Sequence, residues 1–284
     1  MVPRKIFFFW EGNTMSWMRY MTLKSFRTLN PNWDIELYLG QDSQVTNKTW
    51  FDGSKQDFHN FKGKNYLPDV YKLDIKIITW KIPLHNNEDW NKRISPSHKS
   101  NFFKWHTLST AGGIYSDMDI LFTSPMDKFY NSIKDSDLGI CCDPYFSIGF
   151  MFSSPDNRFF KEVYDNTFFS WDPSWYQTAG VMNIYNMLRS RKLMVGSNYN
   201  GLYKTLCKEW SEYIIENMSM KIVYPWNHTQ MESVFHKLHF NLPDETIGIH
   251  WYAGAKISQA YNNILTDTNL TKNTFCYFAR KVLS

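Results

Sequence analysis

The sequence predicts an α/β fold with a mixed, mostly parallel sheet flanked by helices, and three observations carry that prediction. An apolar run at residues 6–10 reads as a buried strand, similar runs alternate with amphipathic helical stretches, and residues 95–122 pass from a helix through two glycines into a strand. With 284 residues the chain can bury one full core, and no composition shift, repeat or linker divides it, so 1–284 is expected to form one domain with a helical C-terminal part.

Taken in order, residues 6–10 are too few to span a bilayer and are followed by no signal-peptide cleavage pattern, which leaves a fully buried first strand. Residues 16–29 form an amphipathic helix with Trp17, Met18, Met21, Ser25 or Phe26, and Leu29 on its buried side. Asn30 and Pro31 end it, and 35–39 is a second strand. The polar span 40–67 carries no assignment. A strand follows at 76–82 and a loop at 86–89. Ser95 caps a helix with Pro96 in its first position, and Ser97, Ser100, Asn101 and Lys104 lie on one stripe of it. Gly112 and Gly113 stop that helix, where the backbone needs positive φ. Beyond Pro125 the pattern gives a helix at 126–133, strands at 138–143 and 148–152, and helices at 157–169 and 181–188.

Asp117 and Asp119 sit two positions apart after the strand starting at Ile114. On an extended strand both carboxylates would project to one side, where hard oxygen ligands can grip a divalent cation. A second Asp-x-Asp, Asp135-Ser136-Asp137, lies among polar residues and reads as a solvated turn. His250, in a late apolar run, is either a core histidine or a nitrogen ligand to the same ion.

The run Ser100, Leu108, Gly112, Gly113, Tyr115, Asp117 and Asp119 resembles, at full spacing, the signature of DXD-motif glycosyltransferases, the sugar-binding-region family that includes capsular polysaccharide enzymes, fungal mannosyltransferases and the glucosylating domain of large clostridial toxins. Asn101 stands where that family has Asp and Lys104 where it has Arg. Pro3, Ile6, Trp10 and Gly12 match its first strand, with Phe7 in place of His; 221–226 resembles its strand that ends in Tyr-Pro and 246–254 its later strand carrying a His, and after Gly254, Ala255 and Lys256 replace its Ser-Trp. The resemblance implies a GT-A-like fold, a nucleotide-sugar-binding half at 1–125 and an acceptor-side half at 126–284. It implies transfer of a sugar from a nucleotide-sugar, a UDP-sugar first, with retention at the anomeric carbon and a Mn²⁺ or Mg²⁺ ion. Asp117, Asp119 and His250 would hold the metal. Trp10 would stack on the base, or else be core; Ser100, Asn101, Lys104, Asp117 and Lys256 would contact the donor; and Asp117, Asp119 and Lys104 would act in catalysis. The 177–180 element is either near the acceptor or an ordinary helix start. The catalytic base or nucleophile is not named by any motif, Asp143 being a guess.

Four cysteines without a C-x-x-C give neither zinc site nor disulfide framework and fit a reducing, cytoplasmic setting. Net charge is only +4, but Lys92, Arg93, His98, Lys99 and Lys104 lead into the helix before the glycines, and Arg189, Arg191 and Lys192 form a second cluster. Both read chiefly as solvated faces; otherwise they suit an anionic acceptor. The acceptor is therefore left open as glycan, protein or DNA, with hydroxymethylated or hydroxylated phage DNA as one alternative. A catalytically silent nucleotide-sugar-binding module is the other, motivated by Asn101, Lys104 and Ala255.

Overall fold

A computed structural model describes residues 1–41, 44–45, 47–51, 53, 55–57, 61–82, 92–142, 145–195 and 201–284. Its strands are β1 (Lys5–Trp10), β2 (Asp34–Gly40), β3 (Asn47–Thr49), β4 (Lys55–Asp57), β5 (Lys76–Trp80), β6 (Gly113–Ser116), β7 (Ile120–Phe122), β8 (Leu138–Cys141), β9 (Ser147–Ser153), β10 (Ile215–Asn217) and β11 (Gly248–His250). Its helices are α1 (Trp17–Leu29), α2 (Leu67–Val70), α3 (Pro96–Thr110), α4 (Asp127–Ile133), α5 (Arg158–Ser170), α6 (Val181–Ser190), α7 (Leu202–Glu209), α8 (Met231–Phe235), α9 (Lys256–Ile264) and α10 (Thr274–Leu283).

Seven strands form the main sheet in the order β10-β8-β9-β6-β1-β2-β5. All neighbours pair in parallel except those of β9, which runs against both β6 and β8. This is the mixed, mostly parallel sheet that the sequence predicts. Two short pairs stand beside it, β7 with β11 and β3 with β4, both antiparallel.

The alternation of β1 divides the core. Phe7 and Phe9 face α3, packing with Phe102, Phe103 and Trp105, whereas Ile6 and Phe8 face α1, packing with Leu23 and Phe26. Helices α5, α6 and α7 extend the first layer, and α4 borders the second. The far side of α1, through Trp17, Met18 and Met21, packs on Phe235, Trp251 and Phe275 from the C-terminal segment. This double burial explains why nearly every apolar residue of α1 is inside.

Helix α3 starts as its sequence predicts. The Ser95 hydroxyl accepts from the His98 N–H, Pro96 occupies the first turn, and Gly112 and Gly113 follow with φ of 63° and 109°. Several expectations are corrected. Asp117, Met118 and Asp119 form a turn between β6 and β7, not one extended strand, because the chain leaves the main sheet at Ser116 to pair with β11. The expected strand at 221–226 is a 3-10 turn at Met220–Ile222 followed by loop, and 246–254 is extended only over Gly248–His250. The unassigned span 40–67 contains the β3–β4 pair, and β10 was not foreseen. The expected loop at 86–89 lies outside the described residues.

Candidate active site

The C-terminal ends of β1 and β6, the 117–119 turn, β9 and the loop after β11 enclose a cavity of about 950 Å³. Trp10, Ser100, Asn101, Lys104, Asp117, Asp119 and His250 all line it, whereas Lys256 does not. Lys256 opens α9 and is exposed. Asp143 lies outside the described residues.

Asp117 is fastened from α3 and β6. Tyr115 donates its hydroxyl to Asp117 Oδ1 at 2.6 Å, Lys104 Nζ donates to the same oxygen at 3.2 Å, and Ser100 lies 2.9 Å from the Tyr115 oxygen, as donor in this chain. The polar stripe of α3 thus reaches the turn from below. Lys104 is 2% exposed, is shared with the Ile148 carbonyl at 3.2 Å, and lies over the Tyr115 ring at 4.6 Å. Burial pulls its ammonium below the usual lysine range, while Asp117 and then Asp119 oppose that shift. Burial and then the Asp117 charge push the Tyr115 phenol well up, which keeps it a donor. Three of the basic residues read as solvated are therefore inside: His98, Lys99 and Lys104 are each at most 2% exposed. Lys99 pairs with Glu11 at 2.9 Å and donates to the Gln41 carbonyl.

Asp119 is held from the opposite end of the chain. His250 Nε2 lies 3.1 Å from Asp119 Oδ1, and the Ala253 N–H donates to Oδ2 at 2.8 Å. Tyr252, at a φ of 42°, makes the turn that aims that N–H, a conformation uncommon for a bulky residue. Burial pushes the Asp119 carboxyl up, but His250, the charge of Arg19 and the Ala253 N–H together hold it below the ordinary carboxylate range. Tyr252 N–H reaches His250 Nδ1 at 3.3 Å, so the ring proton sits on Nε2, facing Asp119.

One ligand atom from each of Asp117, Asp119 and His250 lies within 4.8 Å of the others. Two carboxylate oxygens and one imidazole nitrogen at that separation can hold a divalent cation, with Nε2 free of its proton. The space is kept open by Gly149 of β9. A methyl there would lie 2.8 Å from Asp117 Oδ2, 2.9 Å from the Tyr224 hydroxyl and 3.2 Å from His250 Nε2.

The spacing rules missed two polar groups of this cavity. Tyr224 follows the 3-10 turn; its hydroxyl is buried without a hydrogen-bond partner, and burial followed by the Asp117 charge pushes its pKa well above the usual phenol range, which keeps it a donor. An unpaired buried donor facing an open cup marks a place for an anionic oxygen. Arg19 of α1 lies over both the Trp10 ring, at 5.5 Å, and the Trp251 ring, at 5.0 Å. Among the described residues it has no carboxylate partner at ion-pair distance, so its charge faces the cavity. One face of Trp10 is thereby taken. Only the Tyr-Pro pair at 224–225 gave any sequence signal for Tyr224; Arg19, on a helix read as core, gave none.

Residues 14–138 match the family model described as glycosyltransferase sugar-binding region containing DXD motif. No curated protein matches the chain. Among solved structures, the PaToxG glycosyltransferase is 14% identical with a TM-score of 0.45, over 74% of this chain and 77% of that one. The glycosyltransferase GlyE of Streptococcus pneumoniae TIGR4 is 10% identical with a TM-score of 0.44, over 100% of this chain and 64% of its own. Mouse xyloside xylosyltransferase 1 is 8% identical with a TM-score of 0.45, over 90% and 99%. At such scores these likenesses bear no weight beside the motif and the geometry around it. Residues 14–138, which include the run from Ser100 to Asp119, are thus similar to a glycosyltransferase sugar-binding region containing the DXD motif.

Proposed function

We propose that this chain is a metal-dependent glycosyltransferase that moves a sugar from a nucleotide-sugar, a UDP-sugar first among candidates, to an acceptor with retention at the anomeric carbon. The observation that carries the metal-dependent reading is the convergence of Asp117, Asp119 and His250, from two distant parts of the chain, on one cavity wall. These three would hold a Mn²⁺ or Mg²⁺ ion, which when bound supplies Lewis-acid neutralisation of the leaving diphosphate. Lys104 and Tyr115 fix the direction of Asp117, and Ala253 fixes Asp119. Arg19 and Tyr224 supply a cation and a hydroxyl donor to the anionic oxygens of the donor. Asn101, which lines the cavity, would orient the sugar, and Trp10, which also lines it, would offer its remaining face to the base.

In this reading residues 1–125 form the donor half and 126–284 the acceptor side. No described helix is long and apolar enough to cross a membrane, and the four free cysteines fit a cytoplasmic setting. The DNA-acceptor alternative drew on Arg189, Arg191 and Lys192. Arg191, however, is bound by both Glu162 and Glu209, and Arg189 donates to Asn186 at 3.0 Å.

The test is a thermal-shift panel of UDP-, GDP-, CMP- and dTDP-sugars with and without Mn²⁺, followed by detection of nucleotide release. A donor at a hundred times its Kd stabilises the native state by about 2.7 kcal/mol. Mn²⁺-dependent stabilisation with release, lost in Asp119→Ala, is expected. Binding without release under every acceptor condition would favour the silent module, and no response to any donor would overturn the site.

A further inference from the structure

Past Gln177 the cavity adjoins a second hollow of about 410 Å³, lined by Trp175, Gln177, Thr178, Met182 and Asn186. Gln177 lines both spaces. Gly180 keeps the ground between them open: a methyl there would come 3.1 Å from Asn101 Nδ2 and 3.2 Å from Gln177 Oε1. The two amides therefore meet over Gly180, Asn101 on the wall of the donor cavity and Gln177 on the walls of both spaces.

The chemistry of the hollow is distinctive in what it offers. None of its lining side chains is ionisable. The Thr178 hydroxyl is consumed by the Asp172 carbonyl at 2.7 Å and the Trp175 carbonyl at 3.0 Å, and Asn186 Oδ1 accepts from Arg189. The Gln177 side-chain amide has no hydrogen bond among the described residues, and it stands beside an indole that is 47% exposed. The Trp175 ring is braced edge-on by Phe51, with centroids 5.8 Å apart and planes at 82°, and the Phe51 N–H donates to the Ser174 carbonyl at 2.9 Å. An exposed but braced aromatic face, one free amide and no charge match the C–H face and hydroxyl rim of a pyranose; a polyanion would need cations to replace its counterions.

We propose that this hollow is the acceptor subsite and that the acceptor is a neutral sugar residue stacked on Trp175, with a hydroxyl reaching past Gln177 toward the donor. This rests on the transferase reading. In the transfer, the acceptor oxygen forms a bond to the anomeric carbon, the bond from that carbon to the diphosphate oxygen breaks with its electron pair on the diphosphate, and the hydroxyl proton ends on the departing diphosphate.

The experiment is saturation-transfer NMR on the full chain with maltotriose, cellotriose, mannotriose and chitotriose as neutral probes, and oligo-dT and a heparin tetrasaccharide as anionic ones. At least one neutral probe is expected to bind. Trp175→Ala should weaken it roughly tenfold, and Trp175→Phe, which keeps a stacking face, should restore most of the loss. The Mn²⁺-dependent thermal shift by the donor should be the same in all three proteins. A donor response with no neutral-sugar binding, with anionic probes alone binding, or with Trp175→Ala binding as tightly as wild type overturns the acceptor assignment by itself. Silence toward donors and acceptors alike removes both readings.

Discussion

The chain contains the same three-residue pattern twice, and the two copies have opposite fates. Asp117-Met118-Asp119 turns between two sheets at the floor of a cavity, with Asp119 9% exposed and faced by His250. Asp135-Ser136-Asp137 follows α4 in an ordinary turn, where Asp137 Oδ2 accepts from the Ile214 N–H at 2.9 Å and Ser136 donates to Glu216 at 2.8 Å. The second pair ties β8 to β10. What separates the copies is not their own residues but what the rest of the chain brings to them: a histidine, a backbone N–H and a glycine opposite the first, and a backbone N–H and a glutamate at a sheet edge opposite the second.

That contrast can be broken by experiment. Asp119→Ala should abolish the divalent-dependent response to donor and lower turnover by about a thousandfold or more, as loss of a transition-state electrostatic contact does. A chelator should reproduce the loss of donor response in wild type and leave the variant unchanged. Equal donor responses in the two proteins would put the first pair on the same footing as the second.

Next in size is a pH effect that neither pair should move. His98 is buried, donating from Nε2 to the Tyr176 carbonyl and accepting from Trp171 at Nδ1, and burial lowers its pKa to about 4. Between 6.5 and about 4 the unfolded chain binds the proton that the native ring refuses. His98 therefore contributes its full stability above pH 6.5 and loses it as pH falls toward 4, by about 3 kcal/mol in all. His106, lowered by burial too, adds in the same direction, whereas Asp119 titrates below that window. Urea midpoints measured across the window should slope in wild type, Asp119→Ala and Asp137→Ala alike and slope much less in His98→Gln, where His106 alone is left to act. A steep slope in that last variant would assign the effect elsewhere.

Tyr224→Phe should weaken donor binding roughly tenfold, the worth of one hydrogen bond to a charged group, without loss of stability, because the hydroxyl has no partner to lose. A large drop in Tm with unchanged donor affinity would make Tyr224 a core residue. Smallest is Asp137→Ala, expected to cost about 1 kcal/mol of stability while leaving the donor response intact. Calorimetry and the donor titration read both quantities on the same sample.

Much of this was legible before any coordinates. The cap at Ser95, the positive-φ glycines, the buried first strand and the polar stripe of α3 are local, set by neighbours within a few residues. The family resemblance, not local pattern, grouped Trp10, Ser100, Asn101, Lys104, Asp117 and Asp119, with Trp10 left open as core, and all six line the cavity. The errors have one cause, contacts across long sequence separations. The pairing of β7 with β11 pulls the two aspartates off the strand that local spacing assigned them. Burial of Lys99 depends on Glu11, and that of Lys104 on Asp117 and the Ile148 carbonyl, none of which a charge count can see. Arg19 gave no signal because nothing in a helical pattern foretells two indoles gathered around it. Lys256 had the right charge but stands on the outside of α9.

The antiparallel strand β9 sets a limit on how this molecule can be cut. The matched family region stops at residue 138, the first residue of β8, yet the partner that joins β8 to β6 is β9, and Asp119 finds His250 more than a hundred positions downstream. A polypeptide ending at 138 would keep both aspartates and expose the edge of β6 that β9 covers, with neither Gly149 nor Tyr224 to shape the cup. The recognisable module and the working module are different lengths of chain: the first can be inherited as a motif, while the second has to be inherited whole.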